Sequence, residues 1–436
     1  LPLFAGVMPE AELRDVLDQV LQLAEQQGIT GVVAVDADGT GEPEPEPLPP
    51  LHQEAYDAIA DGDYARAVRA YETAIAQNPR DVDILDLGVP DTGSPAGAWA
   101  LANRGAPPAG PDELARVWTL RGAPHLYRRS DLARVAVATA PFSEADAAKR
   151  VLAAARPLRE AGIPVLDALT IVARHLREIA RDPVPKGEAS TALSAMVGDP
   201  YLRDCPGCGT RHLFELPFRL AAFQAGLELC PDTAPPVLRR VPGLEPAMFG
   251  HRAGDAAPRF DVVRGYLRFY GPASPAQVAA FLEAPVREVR AAWPRDTIPV
   301  TVQDHDEDGA RILAEDEAAV GRARRAGAPS GVRLLRPGDP FLGARDRELR
   351  VPDAHDRRDL WRPVGRPGAV LADGELVGSW RSEVSGGHLD VTVRPWGAWR
   401  ASLGHLVGEQ AALLAEHRGV ADVRLAVEGE RAAVAV

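Results

Sequence analysis

Residues 261–293 read DVVRGYLRFYGPASPAQVAAFLEAPVREVRAAW, a run in which helical patterns alternate with short breaks. Apolar residues at helical spacing predict a first helix in DVVRGYLRFYG and a third in VREVRAAW. Between them, Ser274 followed by Pro275 predicts a helix with a serine cap and a proline at its first position. Two extended segments, TIPVTVQD and ARILAED, come next, joined by the polar loop at 305–309.

Three helices followed by a two-stranded ribbon is the element order of a winged helix. That arrangement places its third helix in the DNA major groove. On this helix Arg287 and Arg290 are the predicted DNA contacts. The acidic loop DHDEDG at 304–309 would repel phosphate if it were the DNA-contacting wing, and winged helices also serve as protein–protein modules. Both interpretations of this unit stay open.

Weaker copies of the same pattern surround DELARVWTLRGAPHLYRRSDL and KGEASTALSAMVGD, and strand patterns dominate the C-terminal part. There, Asp373-Gly374 predicts a two-residue hairpin turn. GGHLDVTVRPW predicts a third strand, and GHLVGEQAALLAEHRG a closing amphipathic helix. The predicted domains are winged helices over residues 85–142, 143–245 and 255–325, and a β-rich domain over 330–436.

Residues 1–82 differ from the rest of the chain in composition and in sequence pattern. GEPEPEPLPP lies in residues 31–50, and its Glu-Pro alternation predicts an acidic, extended linker. In residues 51–82, Gly62, Tyr64, Ala67, Tyr71 and Pro79 match one tetratricopeptide repeat, and a generic amphipathic helix pair is the alternative. Residues 1–30 resemble the end of a thioredoxin-like domain without a C-x-x-C motif. Together they resemble a bacterial thioredoxin-fold, tetratricopeptide co-chaperone, which implies a protein partner for residues 1–82.

Charge is unevenly distributed along the 436 residues. Residues 1–84 hold 17 acidic residues and 4 arginines, which accounts for the whole net charge of −13, whereas residues 85–436 hold 45 of each sign. This distribution argues against a nucleic-acid partner for the first segment and permits one for the rest. Apart from Lys149 and Lys186, every basic residue is arginine, whose planar fork suits phosphate and guanine. Codon bias in a GC-rich genome gives the same composition.

The sequence has no apolar run near the ~20 residues of a membrane span and no secretory signal pattern. Three cysteines are too few for a disulfide scaffold and fit a reducing compartment. We therefore expect a cytoplasmic protein with no membrane association, located at the nucleoid when it is bound to DNA.

Two of these cysteines have metal-ligand spacing. Cys205, Cys208 and His212 form a C-x₂-C-x₃-H pattern, in which a Pro-Gly turn aims both thiolates at one point. Cys230 is a candidate fourth ligand, although the intervening ELPFRLAAFQAGLEL has a helical pattern that would carry it away. A structural zinc and free thiols in a turn are the two alternatives, and no other cofactor is indicated.

Four segments in the same order carry a family resemblance. They are W-x-x-R-G-x-x-H (Trp118, Arg121, Gly122, His125), YLRFYGPASPAQVAAFL, RLLRPGDPFLGARDRELRVPD and AVLADGELVGSWR. They resemble the bacterial winged-helix DNA-binding family that includes DNA glycosylases repairing alkylated and crosslinked DNA. The resemblance implies an α+β fold, with tandem winged-helix domains and a C-terminal antiparallel β-barrel-like domain arranged around double-stranded DNA.

The resemblance also implies where catalysis would reside. Active members carry a Q-x-Q motif after a Gly-apolar pair, and the matching stretch here is Gly88-Val89-Pro90-Asp91-Thr92, without either glutamine. Asp91 is a candidate carboxylate base, and Thr92 stands at the second glutamine position. The alternative is that residues 90–93 form a plain turn, since Pro, Asp and Gly favour turn positions.

Arg121, His125, Arg128 and Arg129 lie close together in sequence and form the first candidate DNA contact. In this interpretation the arginines bind phosphates and His125 meets the lesion or the backbone. The alternative is a solvated basic loop. Three functions follow: a DNA glycosylase-like enzyme, a non-catalytic winged-helix DNA-binding regulator, and a co-chaperone-type interaction protein acting through residues 1–82.

Overall fold

The computed structural model describes residues 83–92, 96–106, 109–110, 112–301, 309–323, 331–428 and 434–435. The thioredoxin-like fragment, acidic linker and tetratricopeptide-like pair predicted over residues 1–82 lie outside these residues and stay predictions. Residues 305–308 of the predicted polar loop also lie outside the described residues. The described residues form a mixed α+β fold with three packed units. Within them, no helix is both long enough and apolar enough to cross a membrane.

The first unit is built around a sheet whose strands come from both ends of the unit. Its elements are β1 (Val89–Pro90), α1 (Ala96–Ala102), β2 (Leu114–Trp118), β3 (Pro124–Arg128), α2 (Leu132–Ala138), α3 (Glu144–Arg150), α4 (Ala155–Glu160), α5 (Val165–Ile179), β4 (Val184–Pro185), α6 (Lys186–Met196), β5 (Leu202–Cys205), β6 (Thr210–Leu213), α7 (Glu215–Gln224), β7 (Leu227–Leu229) and β8 (Val237–Arg240). The strand order β1-β3-β2-β7-β8-β4 is antiparallel throughout the described sheet, while β5 and β6 form a separate hairpin. The segments predicted as two winged helices, 85–142 and 143–245, therefore share one sheet.

The segment from Ile84 to Val89 runs through the interior of this unit. Leu85 and Val89 are almost fully buried, because their side chains pack beneath β3 and α1. Between them, Gly88 has a φ of +94°, and a Cβ there would lie 2.4 Å from the ring of Tyr127. Only glycine fits both the left-handed backbone and the close ring. The Tyr127 hydroxyl then donates to the Leu87 carbonyl at 3.2 Å, which fixes the segment against β3.

The second unit contains α8 (Val262–Tyr270), α9 (Pro275–Leu282), α10 (Val286–Ala291), β9 (Thr297–Pro299), β10 (Arg311–Leu313) and α11 (Glu317–Ala323). The predicted cap is confirmed: the Ser274 hydroxyl accepts from the Gln277 amide, and the Gln277 side chain accepts from the Ser274 amide. Strands β9 and β10 pair antiparallel, so three helices and a ribbon follow one another in the predicted order.

The third unit contains β11 (Val332–Leu335), α12 (Arg347–Arg350), α13 (Ala354–Leu360), β12 (Gly368–Ala372), β13 (Glu375–Ser385), β14 (His388–Pro395), α14 (Ala401–His417), β15 (Asp422–Val427) and β16 (Val434–Ala435). Asp373 and Gly374 both have positive φ and join β12 to β13, which confirms the predicted hairpin. The predicted third strand is β14.

The sheet of the third unit contradicts the prediction of an antiparallel β-barrel-like domain. Among the described strands the order is β11 to β16 in sequence, with β11 and β16 at opposite edges, so the sheet is open. Strands β14 and β15 are parallel. The physical reason is that α14 crosses over between them and returns the chain in the same direction, covering one face of the sheet. Helix α14 is therefore a crossover rather than the closing element.

Direct contacts join the three units. The Trp99 indole on α1 donates to the Leu334 carbonyl on β11 at 2.7 Å. Nearby, Arg104 pairs with the buried carboxylate of Asp339 at 2.9 Å. Leu87 and Leu120 belong to the apolar core that α8 and α9 form. Helix α1 of the first unit and the residues just after it are thus bound to the third unit.

Candidate functional site

Asp91 follows β1 and has a buried carboxylate with two fixed partners. One oxygen accepts from the backbone N–H of Gly97 in α1 at 2.7 Å. The other accepts a hydrogen bond from Nε of Arg116 on β2. The Asp91 amide donates to the Pro124 carbonyl at 2.9 Å, and the whole residue is 5% exposed. Asp91 therefore has the environment of an interior charged residue, not that of a solvated turn.

A cavity of about 490 Å³ lies beside this carboxylate. Its apolar wall comes from α1 and strands β2, β3 and β7, with the side chains of Leu101, Leu114, Leu126 and Leu229. The volume falls within the range of small-ligand pockets, and an apolar wall with a few polar groups is their usual lining. We call this space the Asp91 cavity.

A second buried carboxylate lies in the wall of the Asp91 cavity. Glu228 on β7 is 1% exposed and accepts hydrogen bonds from Arg129 at 3.0 Å and from Arg239 at 2.9 Å. The two buried carboxylates of the cavity wall, Asp91 and Glu228, are thus both paired with arginine, as burial of a charge requires. Arg129, which was predicted to contact DNA, forms an ion pair with Glu228.

The third unit contributes an imidazole to the cavity. His417 at the end of α14 lines it, 5.4 Å from the ring of Trp99. Burial lowers the pKa of His417, and the nearby Arg336 and Arg418 lower it further, so the ring is neutral at neutral pH. Its Nε2 is buried and meets no hydrogen-bond partner among the described residues. The same holds for Nη1 of Arg336. Nε of Arg129, which also lines the cavity, is a third buried nitrogen without a hydrogen-bond partner in the described part of the chain.

His125 and Arg128 face the interior, contrary to the expected DNA-contacting cluster and to the solvated-loop alternative. His125 is 1% exposed, with Nδ1 lying 2.9 Å from the Ala123 carbonyl and 3.1 Å from the Thr119 hydroxyl. Burial lowers its pKa to about 3. Arg128 is 6% exposed and donates to Asp86 at 2.5 Å. Both lie on β3, which is paired on both sides in the sheet.

The other predicted contacts lie in separate places. Arg121 donates to the Phe281 carbonyl at 2.6 Å and stacks on its ring. Thr92 is exposed beside the loop that contains Gly338. Arg287 and Arg290 are exposed on α10. The structure therefore does not bring these side chains together into one site.

A second, larger concavity of about 850 Å³ lies between the second and third units. We call it the arginine groove, because Arg345, Arg347, Arg357, Arg358 and Arg362 line it with Trp361. Arg347 stacks on the Trp361 ring at 4.9 Å, and Arg345 donates to the Ala280 carbonyl at 3.1 Å. Nε of Arg345 and Nε of Arg347 are both buried, and neither has a hydrogen-bond partner in the described part of the chain.

Five arginines line the arginine groove together with only two carboxylates, Asp346 and Glu348. Burial, followed by repulsion from Arg345, Arg366 and Arg121, lowers the pKa of Arg347 to about 10. Burial and Arg345 likewise lower the pKa of Arg121. A bound anion would reverse this effect, because an opposite charge favours the protonated guanidinium. The sequence patterns did not predict this groove, and the one local signal was the arginine-rich run at 345–350.

The predicted metal ligands do come together. The sulfur atoms of Cys205 and Cys208 lie 3.5 Å apart, and a ring nitrogen of His212 completes a cluster whose ligand atoms all lie within 4.8 Å of one another. All three cysteines of the chain are free thiols. Cys230, at the end of β7, is not part of this cluster among the described residues.

Comparisons with known proteins agree with this architecture. The family model described as DNA glycosylase AlkZ-like matches residues 85–423. A solved structure, the Streptomyces sahachiroi DNA glycosylase AlkZ, is similar with a TM-score of 0.58 and 21% sequence identity, covering 82% of this chain and 99% of that chain. At that identity the likeness shows the fold. No curated protein matches the chain. Because the family model spans well over half of its length, the chain belongs to the AlkZ-like DNA glycosylase family.

Proposed function

We propose that this protein binds damaged double-stranded DNA and hydrolyses the N-glycosidic bond of an alkylated or crosslinked nucleotide in the Asp91 cavity. Membership of the glycosylase family supports the reaction class. The observation that carries the assignment of the site is the buried Asp91 carboxylate, held between the Gly97 amide and Arg116 at the wall of a cavity of about 490 Å³.

In this proposal the damaged nucleotide leaves the base stack and enters the cavity. The glycosidic C–N bond breaks, and its electron pair departs with the base, which leaves oxocarbenium character on the sugar. Asp91 stabilises this positive charge and accepts a hydrogen bond from water. As the water oxygen bonds to the anomeric carbon, its proton passes to the carboxylate. The Gly97 amide and Arg116 keep the carboxylate in one orientation during these steps.

We assign DNA binding to the second unit and the arginine groove. Helices α8 to α10 with strands β9 and β10 have the element order of a winged helix, and the third helix, α10, exposes Arg287 and Arg290 for the major groove. Glu283 at the end of α9 interacts with Arg121 and Arg345, so α10 starts directly beside the arginine groove. Backbone phosphates in that groove would meet Arg345 and Arg347.

The test is a glycosylase assay on duplex DNA that contains N-alkylated purines, with the full chain. Asp91→Asn keeps the size of the side chain and removes its charge. The matched control is Asp146→Asn, because Asp146 is also buried, accepts from a backbone amide (Phe142, 2.9 Å) and pairs with an arginine (Arg150, 2.7 Å) but does not line the cavity. Melting temperatures of both variants report any loss of folding.

We expect wild-type protein to release the alkylated base, and Asp91→Asn to lower the single-turnover rate by a factor of about 10² to 10⁴. The control variant should retain the rate at temperatures where it is folded. DNA affinity of Asp91→Asn should stay close to that of the wild type. If both aspartate variants excise bases at the wild-type rate, Asp91 is not the catalytic group.

A second candidate function is DNA binding without base excision, and a specific observation favours it. Pro90 and Thr92 stand where active relatives are expected to carry glutamines, and both oxygens of Asp91 already accept hydrogen bonds. The same assay separates the two functions. Tight binding to alkylated duplexes, with no release of any base by wild-type protein, would establish a lesion-recognition or regulatory protein instead of an enzyme.

A further inference from the structure

The hairpin of β5 and β6 carries a cluster that the proposed DNA chemistry does not use. Cys205 is the last residue of β5 and pairs with Thr210 of β6. His212 on β6 lies opposite Arg203 on β5. The amides of Cys208 and Gly209 both donate to the Cys205 carbonyl, which closes a tight turn. This turn returns the second thiol to the first, so that the two sulfur atoms lie 3.5 Å apart.

The separation of the sulfur atoms matches a shared tetrahedral metal. Zinc–sulfur bonds of about 2.3 Å at tetrahedral angles place two thiolates about 3.7 to 3.8 Å apart. The observed sulfur–sulfur distance therefore needs to change by only a few tenths of an ångström. A ring nitrogen of His212 lies within 4.8 Å of both sulfur atoms, which is close enough for a third ligand of the same ion.

The imidazole of His212 is already in the tautomer that binds metal. Its Nδ1 lies 2.7 Å from the Leu213 carbonyl, and since a carbonyl only accepts, Nδ1 carries the proton. In the neutral ring, Nε2 then has the lone pair. It is buried, and the described residues offer it no hydrogen-bond partner. A backbone carbonyl on the distal nitrogen is the usual way that a metal-bound histidine is oriented.

A cation lies beside the first of the two sulfur atoms. Nη2 of Arg203 donates to the sulfur of Cys205 at 3.4 Å. A neighbouring arginine favours the thiolate, which is the form of cysteine that binds metal. Two thiolates and one neutral imidazole together balance the charge of a divalent cation.

We propose that Cys205, Cys208 and His212 bind one Zn²⁺ ion at the tip of this hairpin, with water in the fourth position. No fourth histidine, cysteine or carboxylate joins the cluster within the described residues. The ion ties the turn to β6, whose Leu213 amide is bound to Ser194 of α6 at 3.0 Å. The cluster does not line the Asp91 cavity, so the proposed ion acts on the hairpin and has no part in the proposed base excision.

The test is the zinc content and cobalt spectrum of the reduced full chain. Cys208→Ser removes an exposed ligand, and Cys230→Ser is the matched control, because Cys230 is a free thiol outside the cluster. We expect about one zinc per chain in the wild type and in Cys230→Ser, and below about a tenth in Cys208→Ser. Cobalt should give the absorption of a tetrahedral thiolate site in the first two proteins only.

Circular dichroism of each variant shows whether a loss of zinc reflects a loss of folding. Should folded Cys208→Ser bind zinc as tightly as the wild type, the ligand set is wrong. Wild-type protein that binds neither zinc nor cobalt after complete reduction would overturn the proposal. So would a Cys205–Cys208 disulfide as the stable form in the presence of zinc. None of these results depends on whether the protein excises bases.

Discussion

Arg116 donates to one carboxylate oxygen of Asp91 in the wall of the cavity, and the side chains of this pair are only 17% and 6% exposed. A buried ion pair has to supply the interactions that water supplied to each charge before folding. The Gly97 amide satisfies the second oxygen of Asp91. The carboxylate is therefore oriented by two groups that come from different elements, β2 and α1.

Loss of Arg116 should destabilise the fold because it leaves a buried carboxylate without its cation. We expect Arg116→Gln to lower the free energy of unfolding by about 3 kcal/mol, measured by urea denaturation. The double variant Asp91→Asn/Arg116→Gln should be less unstable than the sum of the two single variants, with a coupling energy of about 1 to 3 kcal/mol. Strictly additive effects would show that the two side chains do not interact in solution.

Arginine substitutions in the groove should act on DNA affinity and its salt dependence. Arg347→Gln removes a cation that neighbouring arginines repel, so we expect weaker duplex binding and a salt slope reduced by about 1, with little change in stability. The matched control is Arg156→Gln, whose side chain is 83% exposed and pairs with Glu160 on α4. Equal salt slopes for the two variants, measured by fluorescence anisotropy, would exclude the arginine groove as a phosphate-binding surface.

The burial of His125 predicts a specific loss of stability in acid. A free histidine takes up a proton near pH 6.5, whereas burial lowers the pKa of His125 to about 3 in the folded protein. The unfolded chain thus binds the extra proton between these values, and stability falls as the pH falls. We expect this residue to reduce the free energy of unfolding by about 2 to 3 kcal/mol at pH 4.5 relative to pH 8.

The control for this pH effect is His125→Gln, which keeps hydrogen-bonding capacity without a titratable ring. Its unfolding free energy should decline less steeply between pH 6.5 and pH 4.5 than that of the wild type. If both proteins lose stability in parallel over this interval, His125 is accessible to protons in the native state.

Arg128 and Arg290 should respond in opposite ways to removal of their charge. Arg128→Ala leaves the buried Asp86 with Arg259 as its remaining cation, so we expect a loss of about 3 kcal/mol of stability. Arg290→Ala, on the exposed face of α10, should weaken DNA binding and leave thermal stability within about 0.5 kcal/mol of the wild type. If Arg128→Ala is as stable as the wild type but binds DNA more weakly, Arg128 contacts DNA as the sequence predicted.

Local signals predicted the elements of the second and third units well. The Ser274–Pro275 start and the Asp373–Gly374 turn depend on a few neighbouring residues, and the structure confirms both. The open sheet of the third unit was not predictable in this way. Pairing of β14 with β15 requires α14 to cross over between them, and no short-range pattern specifies that return.

The candidate site was predicted less completely, because burial is a property of the whole fold. His125 and Arg128 look like parts of a basic loop until β3 is known to lie between β1 and β2. The alternation of His125 and Tyr127, both buried on one face of β3, was the available strand signal. Arg121, Arg345 and Arg366 come from distant segments, so their proximity had no sequence signal.

Helix α1 has a consequence for any attempt to divide this protein. Its Gly97 amide donates to Asp91, and its Trp99 indole donates to Leu334 of the third unit, while Arg104, just after the helix, pairs with Asp339. Because helix α1 contacts both, the position of the C-terminal sheet helps to determine the position of the Asp91 carboxylate. A fragment that ends before residue 331 would retain Asp91 and Arg116 but lose the partners of Trp99 and Arg104 in the third unit. Helix α1 would then lose part of its support, and the cavity would lose its geometry.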